Sequence, residues 1–263
     1  MSRLDAPDID GSDAVEFGNR APSPDRLLGG RVSLRQPAAG YRAAIDPLLL
    51  AAAVPVQGQE RILDLGCGSG AASLCLLARC AEARVLGLEL QPEIAALAQE
   101  NARDSGLATR FSAVCADLLQ PPLRKRPDAF DHVMANPPYL PVARGRVSPE
   151  SGRAMSNVEG AAKLADWVAA ALALVKPRGS VTFIHRADRL DELLALLSGR
   201  TGEILVVPLW PGAGKSAKRV LVRARPGVAT PTRLAPGLTL HQPDGSFTEA
   251  AERILRHAEP LRL

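Results

Sequence analysis

From residue 60 to about 225 the chain alternates short apolar runs with segments in which apolar residues recur every three or four positions. "RILDL" (61–65) predicts a strand. "GAASLCLLARC" (70–80) sets Leu74, Leu77 and Ala78 on one helical face. "ARVLGLEL" (83–90) predicts a second strand. The following helix has Pro92 in its first turn and Gly106 beyond its end, the usual punctuation of a helix. "RFSAVCADL" (110–118) and "AFDHVMA" (129–135) predict a third and fourth strand. "LADWVAAALALVKPRG" (164–179) predicts a long helix closed by Pro177 and Gly179, followed by the strand "SVTFIH" (180–185). A further helix, "DRLDELLALLSGR", leads to two strands, "EILVVPL" and "RVLVRAR", joined by "WPGAGKSAK".

Strands alternating with helices imply βαβ units and a parallel sheet, whereas two strands joined without a helix are antiparallel neighbours. The expected fold is therefore α/β: a Rossmann-like doubly wound sheet of seven strands, mostly parallel with one antiparallel. Such sheets bind ligands beyond the carboxyl ends of their strands. Residues 1–25, rich in acids, prolines and glycine without an apolar block, read as a disordered tail rather than a signal peptide. Residues 26–58 form a strand and helix before the main domain at 59–226, and 227–263 form a C-terminal strand and helix extension.

Composition narrows the field modestly. With 263 residues, 46% hydrophobic and 23% charged, the chain is sized for one large globular domain, and no apolar run is long enough to span a membrane. Cys67, Cys75, Cys80 and Cys115 form no CxxC pair and no histidine-partnered spacing, so reduced core thiols in a cytoplasmic protein are expected and no metal site. A net charge of +4 permits an acidic partner such as RNA, although aromatics at 3% exclude a broad stacking surface.

Candidate chemistry lies at the strand ends. "LDLGCGSG" places Asp64, Gly66, Gly68 and Gly70 where the first strand turns into its helix. The GxGxG spacing differs from the GxGxxG of dinucleotide binders. A carboxylate at Asp64 would repel a pyrophosphate but suits a ligand with a cationic amino-acid moiety, which favours S-adenosylmethionine (SAM). Glu89 ends the second strand, where an acceptor can hold both ribose hydroxyls. Asp117 ends the third, where a carboxylate can accept from an adenine amino group.

The fourth strand stops at Asn136-Pro137-Pro138-Tyr139. Two prolines remove two donors and fix two φ angles, making a rigid corner. The lone pair of a planar exocyclic amine is delocalised. An asparagine oxygen and a proline-fixed carbonyl that each accept an N–H would turn that lone pair toward a methyl donor. A tyrosine ring beside them can stack on an extruded base.

The glycine turn, acidic strand ends and NPPY together resemble the class I N-methyltransferases that act on exocyclic amines and side-chain amides. Adding "LLGGRVSLRQPAAGYRAAIDPLLLAAAVP" and the C-terminal "QPDGSFTEA" makes the chain most similar to the bacterial valine tRNA (adenine-N6)-methyltransferase family, over residues 27–263. The resemblance implies catalysis at Asn136, Pro137, Pro138 and Tyr139. It implies SAM binding by Asp64, Gly66, Gly68, Gly70, Glu89 and Asp117, and adenine N6 of a tRNA as acceptor. Asp46 matches an acid that opens the family's N-terminal helix, and Asp46-Pro47 reads equally as a cap followed by a first-turn proline.

Basic residues on the ligand face are candidate RNA contacts: Arg144 and Arg146 after the corner, and Lys215, Lys218 and Arg219 in the last hairpin. "GAGKS" is no phosphate loop, because residue 209 is leucine and a strand follows. "LRKRP" (123–127) precedes strand four and reads as a solvated turn at the opposite edge. Competing readings are N5 methylation of a protein glutamine, as on a release factor, and N2 methylation of a ribosomal guanine. A further alternative is an RNA-binding scaffold that no longer transfers methyl.

Overall fold

The computed structural model describes residues 25–36, 45–120, 130–139 and 162–262. A small antiparallel hairpin, β1 (Asp25–Leu27) and β2 (Val32–Leu34), is followed by helix α1 (Asp46–Ala53). The alternating segment then gives β3 (Arg61–Leu65), α2 (Ala71–Arg79), β4 (Arg84–Glu89), α3 (Pro92–Asp104), β5 (Phe111–Cys115) and β6 (Phe130–Ala135). The second half gives α4 (Leu164–Leu174), β7 (Val175–Arg186), α5 (Leu190–Leu197), β8 (Thr201–Gly212) and β9 (Arg219–Pro226). Short strands β10 (Arg233–Leu234) and β11 (Leu238–His241) and helix α6 (Glu249–Leu255) complete the described chain.

Seven strands lie in the order β8-β9-β7-β6-β3-β4-β5, with β9 antiparallel to both its neighbours and the other pairs parallel. That is the expected Rossmann-like sheet. It is wider than expected: β10 and β11, from the C-terminal extension, both pair parallel to β8 and make nine strands. The α4 boundary also differs. The helix ends at Leu174, and Lys176, Pro177 and Arg178 lie within β7 where its pairing with β6 shifts register. Between Phe130 and His132 of β6 the partner strand runs from Val175 to Ser180, and this irregularity in the ladder takes up residues that the sequence pattern assigned to the helix.

Alternate residues of the strands feed two apolar layers, as a sheet covered on both faces requires. On β8, Leu205, Val207 and Leu209 face the layer of α1, α2 and α6, while Ile204 and Val206 face that of α4 and α5. All eight residues of α1 are buried, the condition expected of a helix apolar all round. It packs on α2, β7 and α6. The burial carries one acid, Asp46, into the interior at the carboxyl edge of the sheet.

Candidate functional site

The glycine turn is shaped by close approach. Gly66, Gly68 and Gly70 all have positive φ. At Gly66 no other residue fits: φ is +67°, and an added Cβ would lie 2.4 Å from the Trp167 ring of α4. Leu88 O accepts from both Gly66 N and Cys67 N, at 2.8 and 3.0 Å, which ties the turn to the end of β4. Glu89 then reaches across: Oε2 accepts from Gly68 N and Oε1 from Gln91 N, both at 3.0 Å. Each oxygen keeps lone-pair capacity for a further donor, so the carboxylate can hold two hydroxyls while bracing the turn and the start of α3.

Asp64 is 2% exposed and accepts from Ser73 Oγ at 2.6 Å. Burial pushes its carboxyl up to about 7 and the negative Glu89 adds to the rise, while the Ser73 bond opposes it. Among the described residues no cation pairs with it. A buried acid without a cation, beside a glycine cradle and a second acid, fits a positively charged, ribose-bearing ligand such as SAM. Asp117 lies two residues beyond β5, half-buried, with Oδ1 accepting from Leu119 N at 2.8 Å.

β3 and β6 are parallel neighbours in which Leu65 pairs with Ala135. Gly66 and Asn136 therefore leave adjacent strands side by side. The Tyr139 oxygen lies 2.5 Å from Asp46 Oδ2 and 2.9 Å from Asn136 Oδ1. Arg219 Nε donates to the same Asp46 oxygen at 3.0 Å, and its guanidinium sits 4.4 Å above the Tyr139 ring. Tyr139 is 7% exposed, so in this arrangement its ring packs under Arg219 rather than standing open to a base.

Asp46 does not act as a helix cap. It is the first helical residue, after Ile45, and makes no capping bond; its carboxylate serves Tyr139 and Arg219. Arg219 likewise departs from the expected phosphate contact, because ion pairing turns its guanidinium inward from the hairpin. His185 of β7 packs 5.8 Å from Tyr139, centroid to centroid. Burial and the nearby Arg189 and Arg219 push it down to about 4, so it is neutral at pH 7.

Lys215 and Lys218 are exposed, at the carboxyl end of β8. Lys215 also borders a cleft of about 490 Å³ with Trp210, Ser216 and Thr239 on its walls. Arg144, Arg146 and the 123–127 turn lie outside the described residues. Of the cysteines, Cys67 and Cys75 are buried as expected, Cys80 is intermediate and Cys115 is exposed. Among the described residues no His, Cys, Asp and Glu group is arranged to hold a metal ion, and no helix is long and apolar enough to cross a membrane. Sequence reasoning missed Ser73, Trp167 and Asn101. The Asn101 amide donates to Ser69 O and Arg35 O, tying the glycine turn to the N-terminal hairpin. A lone polar residue on a buried helical face is the only local signal for Ser73 and Asn101.

Residues 62–150 match the methyltransferase domain family. The chain is 28% identical over 211 residues to the tRNA1(Val) (adenine(37)-N6)-methyltransferase of Aeromonas hydrophila, covering 79% of this chain and 86% of that one. The crystal structure of a predicted O-methyltransferase from Agrobacterium tumefaciens superposes with a TM-score of 0.68 at 26% identity. It covers 82% of this chain and 98% of its own. The geranyl diphosphate C-methyltransferase of Streptomyces coelicolor, solved with S-adenosyl-L-homocysteine, shares the fold at a TM-score of 0.52 and 16% identity, over 68% of this chain and 79% of that one. The chain is a SAM-dependent methyltransferase with the class I fold.

Proposed function

We propose that the chain methylates N6 of an adenine in tRNA, with Asn136 orienting the acceptor amine. The observation that carries this reading is the adjacency of the NPPY corner to the glycine turn: Asn136 and Gly66 follow paired residues of neighbouring strands. In the proposed site Asp64 faces the positive end of SAM, Glu89 accepts from the ribose hydroxyls and Asp117 from the adenine amine. When bound, SAM supplies an electrophilic methyl group. With SAM held by Asp64, Glu89 and Asp117, the acceptor nitrogen would take that methyl, S-adenosylhomocysteine would leave, and the nitrogen would release a proton to solvent. Asn136 Oδ1 and a backbone carbonyl of the corner hold the amine so that its lone pair points at the methyl. Lys215 and Lys218 contact RNA phosphates, and the reaction runs in the cytoplasm. The kinship with the Aeromonas enzyme supports adenine over guanine or glutamine.

The test is transfer of radiolabelled methyl from SAM to total RNA and, separately, to total protein, followed by nucleoside digestion. Label in N6-methyladenosine is expected. Label in a protein glutamine would replace the reading, and so would label on an oxygen, the acceptor atom for which the Agrobacterium neighbour is named.

A further inference from the structure

Tyr139 has one hydroxyl proton, yet its oxygen is within hydrogen-bond distance of both Asp46 Oδ2 and Asn136 Oδ1. One proton cannot satisfy two acceptors. Asp46 is the stronger acceptor and the closer one, and charge-assisted bonds of this kind are roughly twice as strong as neutral ones. Arg219 Nε donates to the same carboxylate oxygen, at 3.0 Å. The proton therefore belongs to Asp46, and a phenol oxygen that has donated its proton offers only lone pairs to Asn136. The oxygen and nitrogen of an amide have nearly the same shape, and the hydrogen-bond network decides which one faces a given neighbour. Here the NH₂ satisfies the phenol, whereas Oδ1 would set two acceptors against each other.

We infer that Asp46, acting through Tyr139, holds the Asn136 side chain with its NH₂ on the phenol oxygen, leaving Oδ1 free to accept an N–H from the acceptor amine. This deepens the proposed amine methylation and rests on it. Asp46 and Tyr139 are then positioning residues, and Asn136 is the group that touches substrate. The architecture serves this end. The fully buried α1 fixes Asp46, two prolines fix the backbone between Asn136 and Tyr139, and Arg219 closes over the ring. An orientation set before substrate arrives spares the amide a reorganisation at the moment of reaction.

Two measurements test the inference, and the first needs no substrate. The chain has two tyrosines, so a Tyr41→Phe background leaves Tyr139 as the only phenol to follow by ultraviolet titration. An amide donor stabilises the phenolate. Asn136→Ala should therefore raise the pH at which Tyr139 ionises. A fall would mean that the amide accepts from the phenol, and would overturn the inference. The second measurement is a double-mutant cycle on turnover, using whichever acceptor the wild type labels. Asp46→Asn and Tyr139→Phe should each lower kcat about tenfold, the scale of one lost hydrogen bond. The double variant should fall no further, with the KM for SAM within about twofold. Additive losses would refute action through the phenol. Tyr139→Phe removes only a hydroxyl, so an unchanged kcat there refutes it even where Asp46→Asn fails to fold. Absence of RNA methylation would sink the tRNA reading alone, because the titration still decides the amide's orientation.

Discussion

Replacing Asp64 by asparagine should stabilise the protein while damaging its site. The carboxyl of Asp64 is pushed from an ordinary 3.8 up to about 7, chiefly by burial. Between those values the folded chain holds a proton that the unfolded chain has released, so stability falls as pH rises across the window. At about 1.36 kcal/mol for each pH unit, the full cost reaches about 4 kcal/mol above pH 7 and vanishes below pH 4. Asparagine keeps the shape and can still accept the Ser73 hydroxyl bond, yet it cannot ionise. Urea denaturation of the SAM-free wild type and Asp64→Asn at pH 4.5, 6, 7 and 8 gives the difference directly. Contributions from His132 and His185, which burial holds below their ordinary range, are common to both proteins and cancel. Asp64→Asn should exceed the wild type by only about 1 kcal/mol at pH 4.5 and by about 4 kcal/mol at pH 8. A difference independent of pH, or a more stable wild type at pH 8, would refute the reasoning.

Glu89→Gln sets an NH₂ against one of the two backbone donors that the carboxylate now holds. Losing a bond to a charged group, about 1.5–3 kcal/mol, should weaken SAM binding about 10–100-fold by calorimetry, and unchanged affinity would remove Glu89 from the site. Gly66→Ala combines a positive φ, about 1–2 kcal/mol, with displacement of a buried indole, about 1–3 kcal/mol. Urea unfolding should show a loss of about 2–5 kcal/mol, and a loss below about 1 kcal/mol would contradict the contact with Trp167. Lys215→Ala with Lys218→Ala should make the dependence of log K for tRNA on log salt shallower by about 1–2, and an unchanged slope would take the hairpin out of RNA binding.

The sheet was legible because its cause is local. Runs such as Ile62–Leu65 and Val181–Ile184 carry their own burial pattern, and the missing helix before "RVLVRAR" announces the antiparallel strand. The glycine turn was legible for the same reason, since its positive φ angles favour glycine, but the Trp167 indole that closes on Gly66 comes from α4 and was not. The end of α4 was not. Proline and glycine at 177 and 179 mark a break, but whether the residues before them finish a helix or open a strand is decided by pairing of Val175 with Phe130 of β6. Asp46 was ambiguous for a like reason. Asp-Pro at a helix start suits a cap, and only the packing of α1 against β7 and β9 brings the carboxylate to Tyr139 and Arg219. Arg219 looked like its lysine neighbours in sequence, and a partner 173 residues away separates it from them.

Among the buried titratable groups at this edge of the sheet, Asp46, His185 and Asp64 bear their polarity differently, and the contrast separates a ligand-binding acid from a merely buried one. Asp46 is compensated by Arg219 and Tyr139. His185 avoids a buried charge by staying neutral. Asp64 has a serine hydroxyl but, among the described residues, no cation, so its ionised form is costly until a positive charge arrives. If that charge belongs to SAM, as proposed, binding must draw the proton from Asp64. Affinity should then climb as pH rises toward about 7 and level off above it, by linkage to the same group. The stability of the SAM-free protein falls over that same interval. A structural acid would give the second slope without the first. Calorimetric titrations of SAM from pH 5.5 to 8, in two buffers of different ionisation enthalpy, would report both the affinity and the released proton. Flat affinity with no proton release would leave Asp64 a buried acid only.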